Sequence, residues 1–280
     1  MKKILVFTDF SKCAHLASSV SIEIASKFGC EILFVHYMNN VPDGWEIGSL
    51  AFRKGYANTY SDYLKNSCQL AELERSASDE KVIAKSKLIY NFSASKLSLF
   101  IEENKIDYVI MGSHGRSSFE EFMMGSNAQE MVRHSPVPIM VIKREFSISK
   151  AHLIFISDFS AEADGAFNKL VDFSNLIEAP ISLLYVNSTK KNAARKKEDR
   201  ERAEMRMSAF KSRGGTSIQE AEIVDEKSLE AGIEKYCSSK TNPVISMGTH
   251  GRQGVERLFL GSQTEKVVNR LVHPVIGLPI

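Results

Sequence analysis

The sequence predicts an α/β protein built from two tandem copies of one open-sheet domain, and three observations predict it. Apolar runs alternate with segments of helical periodicity, as in repeated strand–helix units. One glycine pattern occurs twice, as GSHGRSSFEEFMMGS over 112–126 and GTHGRQGVERLFLGS over 248–262, each reading Gly, two residues, Gly, nine residues, Gly-Ser. With glycine near 7% of residues, that pattern arises by chance at about one position in ten to a hundred thousand, so two copies mark a duplication. Finally, Thr8-Asp9-Phe10-Ser11 returns as Ser157-Asp158-Phe159-Ser160, again straight after an apolar run.

Ile4 to Phe7 reads as the first strand, and Ala14, Ala17, Val20, Ile24 and Phe28 then recur at helical spacing up to Gly29. Ser11 is a natural N-cap. Glu31 to Met38 is the second strand, with His36 a packed core histidine. A polar and aromatic segment from Asn39 to about Tyr60, holding Trp45, reads as a lid, an oligomer contact or a self-packed loop. A helix over about 62–77, a strand over 82–90, a helix over 94–104 and a strand over 107–111 lead to the first glycine motif. The following helix reaches His134, prolines stop it, and Ile139 to Ile142 is the fifth strand, whose prolines favour an edge that must be covered or paired.

Arg144 to Lys150 is short and polar and sets the boundary between a first domain, 1–146, and a second, 147–280. Strands restart at His152–Ile156, Ile181–Val186, 217–224 and Pro243–Met247, and His273 to Ile276 closes the chain as His134 to Ile139 closed the first half. Asp9 to Gly112 spans 103 positions and Asp158 to Gly248 spans 90, so the Trp45 segment is the insertion. The charge-dense stretch 190–213 suits a long exposed helix rather than a nucleic-acid patch, since aromatic interleaving is absent.

Length and composition exclude several classes. At 280 residues there is room for two cores, and 43% apolar with 25% charged residues fits a soluble globular protein. A net charge of +2 argues against a dedicated nucleic-acid binder. No run of 18 apolar residues crosses a membrane, and the N-terminus reads as a strand rather than a signal peptide. Four scattered cysteines give no zinc or disulfide pattern, so a cytoplasmic protein with reduced thiols is predicted.

A strand that ends at glycine and returns as Gly-Ser at a helix start leaves backbone N–H groups converging on one spot, where anions bind. Glycine allows close approach, and the serine hydroxyl adds a donor that turns to suit a phosphate oxygen. Asp9 ends the first strand, where open α/β sheets bind ligands; it either faces such a ligand or hydrogen-bonds the turn that follows. No Gly-Lys-[Ser/Thr] loop occurs, and His114 and His250, between glycines, read as structural.

Strands ending in Thr-Asp-Phe-Ser and Met-Gly-Ser-His-Gly-Arg, with Gly-Ser nine residues later, make the chain resemble the universal stress protein family, as a tandem member of its ATP-binding branch. The resemblance implies two Rossmann-like, adenine nucleotide alpha hydrolase-like, five-stranded parallel sheets with helices on both faces. It also implies that they pair through their fifth strands about a pseudo-two-fold axis, an intramolecular pseudo-dimer that leaves a further homodimer open. By motif, Asp9 and Asp158 would line the nucleoside end, and Tyr37 and Val186 would border adenine. Met111, Gly112 and Gly115, with Met247, Gly248 and Gly251, would wrap the ribose and first phosphates. Gly125, Ser126 and Asn127, with Gly261, Ser262 and Gln263, would meet the phosphates.

The chain departs from the family in having Phe7 and Ile156 where proline is frequent, and Tyr37 where the adenine contact is usually valine. A larger ring there stacks on the base or fills its slot. The expected function is an ATP-responsive stress-response switch acting through an unidentified protein partner, with Mg²⁺ a common companion of the phosphates and no dedicated catalysis. The alternative is a slow ATPase or nucleotide-transfer enzyme of the same fold. Neither a nucleic acid nor a membrane is an expected partner.

Overall fold

The computed structural model describes residues 1–39, 41, 57–113, 125–188, 192–249 and 271–280. The first half contains β1 (Lys3–Phe7), α1 (Lys12–Phe28), β2 (Glu31–Met38), α2 (Ala57–Asp79), β3 (Ala84–Tyr90), α3 (Leu97–Asn104), β4 (Tyr108–Gly112), α4 (Ser126–His134) and β5 (Ile139–Ile142). The second contains β6 (His152–Ile156), α5 (Asp164–Ile177), β7 (Ile181–Ser188), α6 (Ala193–Gly214), β8 (Ile218–Glu226), α7 (Leu229–Cys237), β9 (Pro243–Thr249) and β10 (Val275–Pro279).

The ten strands among the described residues lie in one sheet of order β3-β2-β1-β4-β5-β10-β9-β6-β7-β8. Pairing is parallel within each half and antiparallel only between β5 and β10, where Ile276 opposes Met140. The apolar strand β5 thus has a neighbour on both sides, which resolves its exposed edge. Gly277 of β10 lets the first half reach across, because a Cβ there would stand 2.8 Å from Cγ1 of Val132 on α4. On the opposite face Tyr108 of β4 packs on Phe173 of α5, with ring centroids 5.2 Å apart.

Each face of the sheet carries its own core. One holds Ala17, Val20 and Ile24 of α1, Leu70 and Leu73 of α2, and Phe167, Leu170 and Phe173 of α5; the other holds Leu97 and Ile101 of α3, Met131 of α4, and Ile233 and Tyr236 of α7. The helix over 193–214 is not exposed all round, as its charge suggested. Ala203, Met207, Phe210 and Gly214, at spacings of four, three and four, make a buried stripe on which Phe210 meets Phe167 at 4.9 Å and Phe159 at 5.2 Å. Burying such a ring contributes about 2–3 kcal/mol, which outweighs exposed i,i+4 ion pairs of a few tenths. Helix α7, absent from the sequence reading, starts at the N-cap Ser228 and buries Ile233, Tyr236 and Cys237. Its signal was that i, i+3, i+4 spacing.

The connection between the halves is latched to α1 by Glu23. Its carboxylate accepts from the hydroxyl of Ser147 at 2.9 Å, the N–H of Ile148 at 3.1 Å, both the N–H and hydroxyl of Ser149, and Lys27. Burial alone would raise its pKa, but the bonds from Ser149, Lys27, Ser147 and Ile148 outweigh that and hold it near 2. A depressed carboxylate stabilises above its unfolded value of 4.5, and that stability is lost as pH falls towards 2. Glu23→Gln is expected to lower stability at pH 7 by about 1–2 kcal/mol, after discounting for its partial exposure. Urea denaturation measures it, and an unchanged midpoint would remove the latch.

Candidate nucleotide site

Strand order reverses once in each half, with β1 between β2 and β4, and β6 between β7 and β9. From β1 the chain goes to α1 on one face, and from β4 to α4 on the other, so a crevice opens at the carboxyl edge of the sheet. Ligands of open α/β sheets bind at such a switch point.

The turn after β1 is built from its own side chains. Thr8 Oγ1 accepts from the N–H of Phe10 at 3.1 Å, and Asp9 Oδ1 accepts from the N–H of Ser11 at 3.0 Å. Ser157 and Asp158 repeat both bonds at 2.9 Å. Phe10 and Phe159 take left-handed φ values of 61° and 55°, an unfavourable conformation for a residue with a Cβ, and their buried rings offset it. The turn bond foreseen for Asp9 is therefore present in both halves. His36 is satisfied as well: its Nδ1 lies 2.7 Å from the Thr8 carbonyl, and its ring packs 4.8 Å from that of Phe10.

Around this turn the first half gathers Asp9, Tyr37, Met111, Gly112, Gly125, Ser126 and Asn127. Tyr37 packs edge-on to Phe7 at 6.3 Å and against Phe92 at 5.9 Å. Its hydroxyl accepts from the Asn127 side chain at 3.2 Å. Burial pushes the Tyr37 pKa up and the Asp9 charge adds to this, while the Asn127 bond opposes it, so the phenol is neutral at pH 7. Buried Ser113 ties the two ends of the glycine motif together, donating to Ile142 O at 3.0 Å and accepting from the N–H of Gly125 at 2.7 Å. Gly125 caps α4 without a side chain, which leaves the first N–H groups of the helix, the Ser126 hydroxyl and Asn127 as a donor set suited to phosphate oxygens.

In the second half Asp158, Val186, Met247 and Gly248 occupy the corresponding carboxyl ends. Arg206, which sequence reasoning missed, donates from α6 to the Asp158 carbonyl at 3.4 Å. The buried stripe of α6 is the signal that would have turned it inward. Gly115, Gly251, Gly261, Ser262 and Gln263 lie outside the described residues, as do His114, His250 and positions 42–56 of the Trp45 segment. Among the described residues, no group of three or more His, Cys, Asp or Glu side chains comes together that would hold a metal ion. Nor is any helix among them long and apolar enough to cross a membrane.

A parallel strand–helix unit repeated once, with a strand reversal in each half, defines the chain as a tandem α/β protein. The family model described as the universal stress protein family matches residues 1–143 and 152–278, and the chain belongs to that family. It is similar to universal stress protein Slr1230 of Synechocystis, with 24% identity covering 99% of both chains. It also resembles universal stress protein MJ0531 of Methanocaldococcus jannaschii, 26% identical over 51% of this chain and 82% of that one. The crystal structure of a universal stress protein from Archaeoglobus fulgidus superposes with a TM-score of 0.67 at 18% identity, covering 99% of this chain and 98% of that one, and so shares the fold.

Proposed function

We propose that the chain binds an adenine nucleotide, ATP, at the carboxyl edge of its sheet and works as a nucleotide-responsive regulatory protein rather than a dedicated catalyst. The observation that carries this reading is the strand reversal repeated in both halves, each with an aspartate turn, at Asp9 or Asp158, following its first strand at the carboxyl edge of the sheet. In an occupied half, Asp9 or Asp158 takes the nucleoside end, the position of Tyr37 or Val186 borders the base, and Met111, Gly112 and Gly115, or Met247, Gly248 and Gly251, wrap the ribose and first phosphates. Gly125, Ser126 and Asn127, or Gly261, Ser262 and Gln263, take the phosphates, with any Mg²⁺ carried on phosphate oxygens. The two units, 1–146 and 147–280, act in the cytoplasm, where occupancy shifts the loops that a protein partner reads.

Native mass spectrometry of the gently purified chain, with chromatography of the released small molecule, tests this. At least one adenine nucleotide per chain is expected. If none is found, and Mg-ATP up to about millimolar does not bind, which is the weak end of useful affinity, the reading falls.

A further inference from the structure

We infer that the two sites are unequal: Tyr37 closes the nucleoside slot of the first half, so the chain takes one nucleotide, in its second half. This rests on the nucleotide reading above. The strand registers make the comparison internal to the molecule. Phe7 pairs with Val35 and Ile156 with Leu184, so Tyr37 and Val186, each two residues further on, hold the same place at the carboxyl edge.

At that place the first half has a ring wedged between Phe7 and Phe92, whose own ring meets Phe100 at 5.8 Å. The phenol reaches Asn127 in the first turn of α4, so Tyr37 spans from the nucleoside end to the phosphate end, across the path a nucleotide would take. The second half has Ile156 and Val186 there, neither of which reaches so far.

A separate observation points the same way. Ser160 Oγ, in the turn after β6, is a buried polar atom with no hydrogen-bond partner, whereas Ser11 Oγ, at the same place after β1, accepts from the N–H of Ala14 at 3.3 Å. Buried polar groups are normally satisfied, so the turn of the second half has a hydrogen-bonding group left for a guest or its waters. In the first half the chain has filled the slot with its own side chains.

Isothermal titration of the full chain with Mg-ATP tests the inference. The expected count is one per chain for the wild type, two for Tyr37→Val, and one for Tyr37→Phe, which keeps the ring. Gly261→Val, at the Gly-Ser of the second glycine motif, is expected to bind none. Two nucleotides on the wild type, or one retained by Gly261→Val, would overturn the inequality while leaving the nucleotide reading intact. A count that stays at one in Tyr37→Val, or rises to two in Tyr37→Phe, would overturn the ring as the obstruction. A wild type that binds none sinks the nucleotide reading itself.

Discussion

Replacing Gly112 by alanine is expected to destabilise the fold by about 3 kcal/mol, the upper range for overpacking a rigid site. A Cβ at that position would stand 2.8 Å from Ala14 N and Cys13 C and 2.9 Å from Cys13 Cβ. Those are atoms of the first turn of α1, so relief requires the helix to move rather than a side chain to rotate. The shift would pass through the Ser11 cap, whose Oγ accepts from the N–H of Ala14 at 3.3 Å, to the Asp9 turn. Gly248 is the sister position, but there the added carbon would meet the Ile280 side chain, 3.0 Å from Cδ1, at the partly exposed chain end. Gly248→Ala is therefore expected to cost under about 1 kcal/mol, since the outer end of the Ile280 side chain can rotate away. Urea denaturation of both variants measures the contrast, and equal midpoints would refute the packing account. It follows that loss of nucleotide by Gly112→Ala would not identify a ligand contact; the glycine is required by α1 whether or not a ligand is bound.

Most of the architecture was legible because its determinants are local. Glu31–Met38, Ile139–Ile142 and His152–Ile156 are bounded by the residues their apolar runs indicated, and the duplicated turns follow β1 and β6. Less legible were features set by distant partners. The charge of α6 concealed its inner stripe, because four apolar or small positions among 22 residues carry little periodic signal until Phe167 and Phe159 supply the opposing surface. Helix α2 begins at Ala57, ahead of the sequence reading, since Asn58 to Tyr60 carry no helix-specific pattern.

At the candidate site, the sequence offered candidate residues but not their engagements with one another. That Tyr37 differs from Val186 was visible. That its hydroxyl meets Asn127, 90 positions later, depends on β2 and α4 ending at the same edge of the sheet. The left-handed phenylalanines were equally hidden, because nothing in Asp-Phe-Ser announces positive φ; the paired side-chain bonds of Thr8 with Asp9, and of Ser157 with Asp158, impose it.

Acid is expected to weaken the molecule at the seam where the two halves join. His273 precedes β10, and its Nδ1 lies 2.9 Å from Arg144 Nη2, so the imidazole is neutral and accepts from the guanidinium. Burial, with the charges of Arg144 and Lys143, pushes its pKa from 6.5 down to about 4. Above pH 6.5 neither the folded nor the unfolded chain holds this proton. Between 6.5 and 4 the unfolded chain binds it and the folded one refuses it, so stability falls as pH falls through that window. With the ring partly open to solvent, screening reduces the loss to about 1–2 kcal/mol. His152, also pushed down by burial, adds in the same direction, so the discriminating comparison is between wild type and His273→Gln at pH 7.5 and 4.5. The wild type is expected to lose about 1–2 kcal/mol more than the variant in urea denaturation; identical losses would place the acid sensitivity elsewhere. Lys143 behaves with the same sign at higher pH. Burial lowers its amine to about 8 while it donates to Leu271 O at 2.7 Å, so stability also falls as pH drops from 10.5 to 8. Both groups bridge the end of β5 to the segment entering β10, so the antiparallel pairing that makes one sheet of two repeats rests in part on basic side chains whose protonated form burial disfavours. Below neutral pH it is proton uptake by His273 that acts on this junction between the halves.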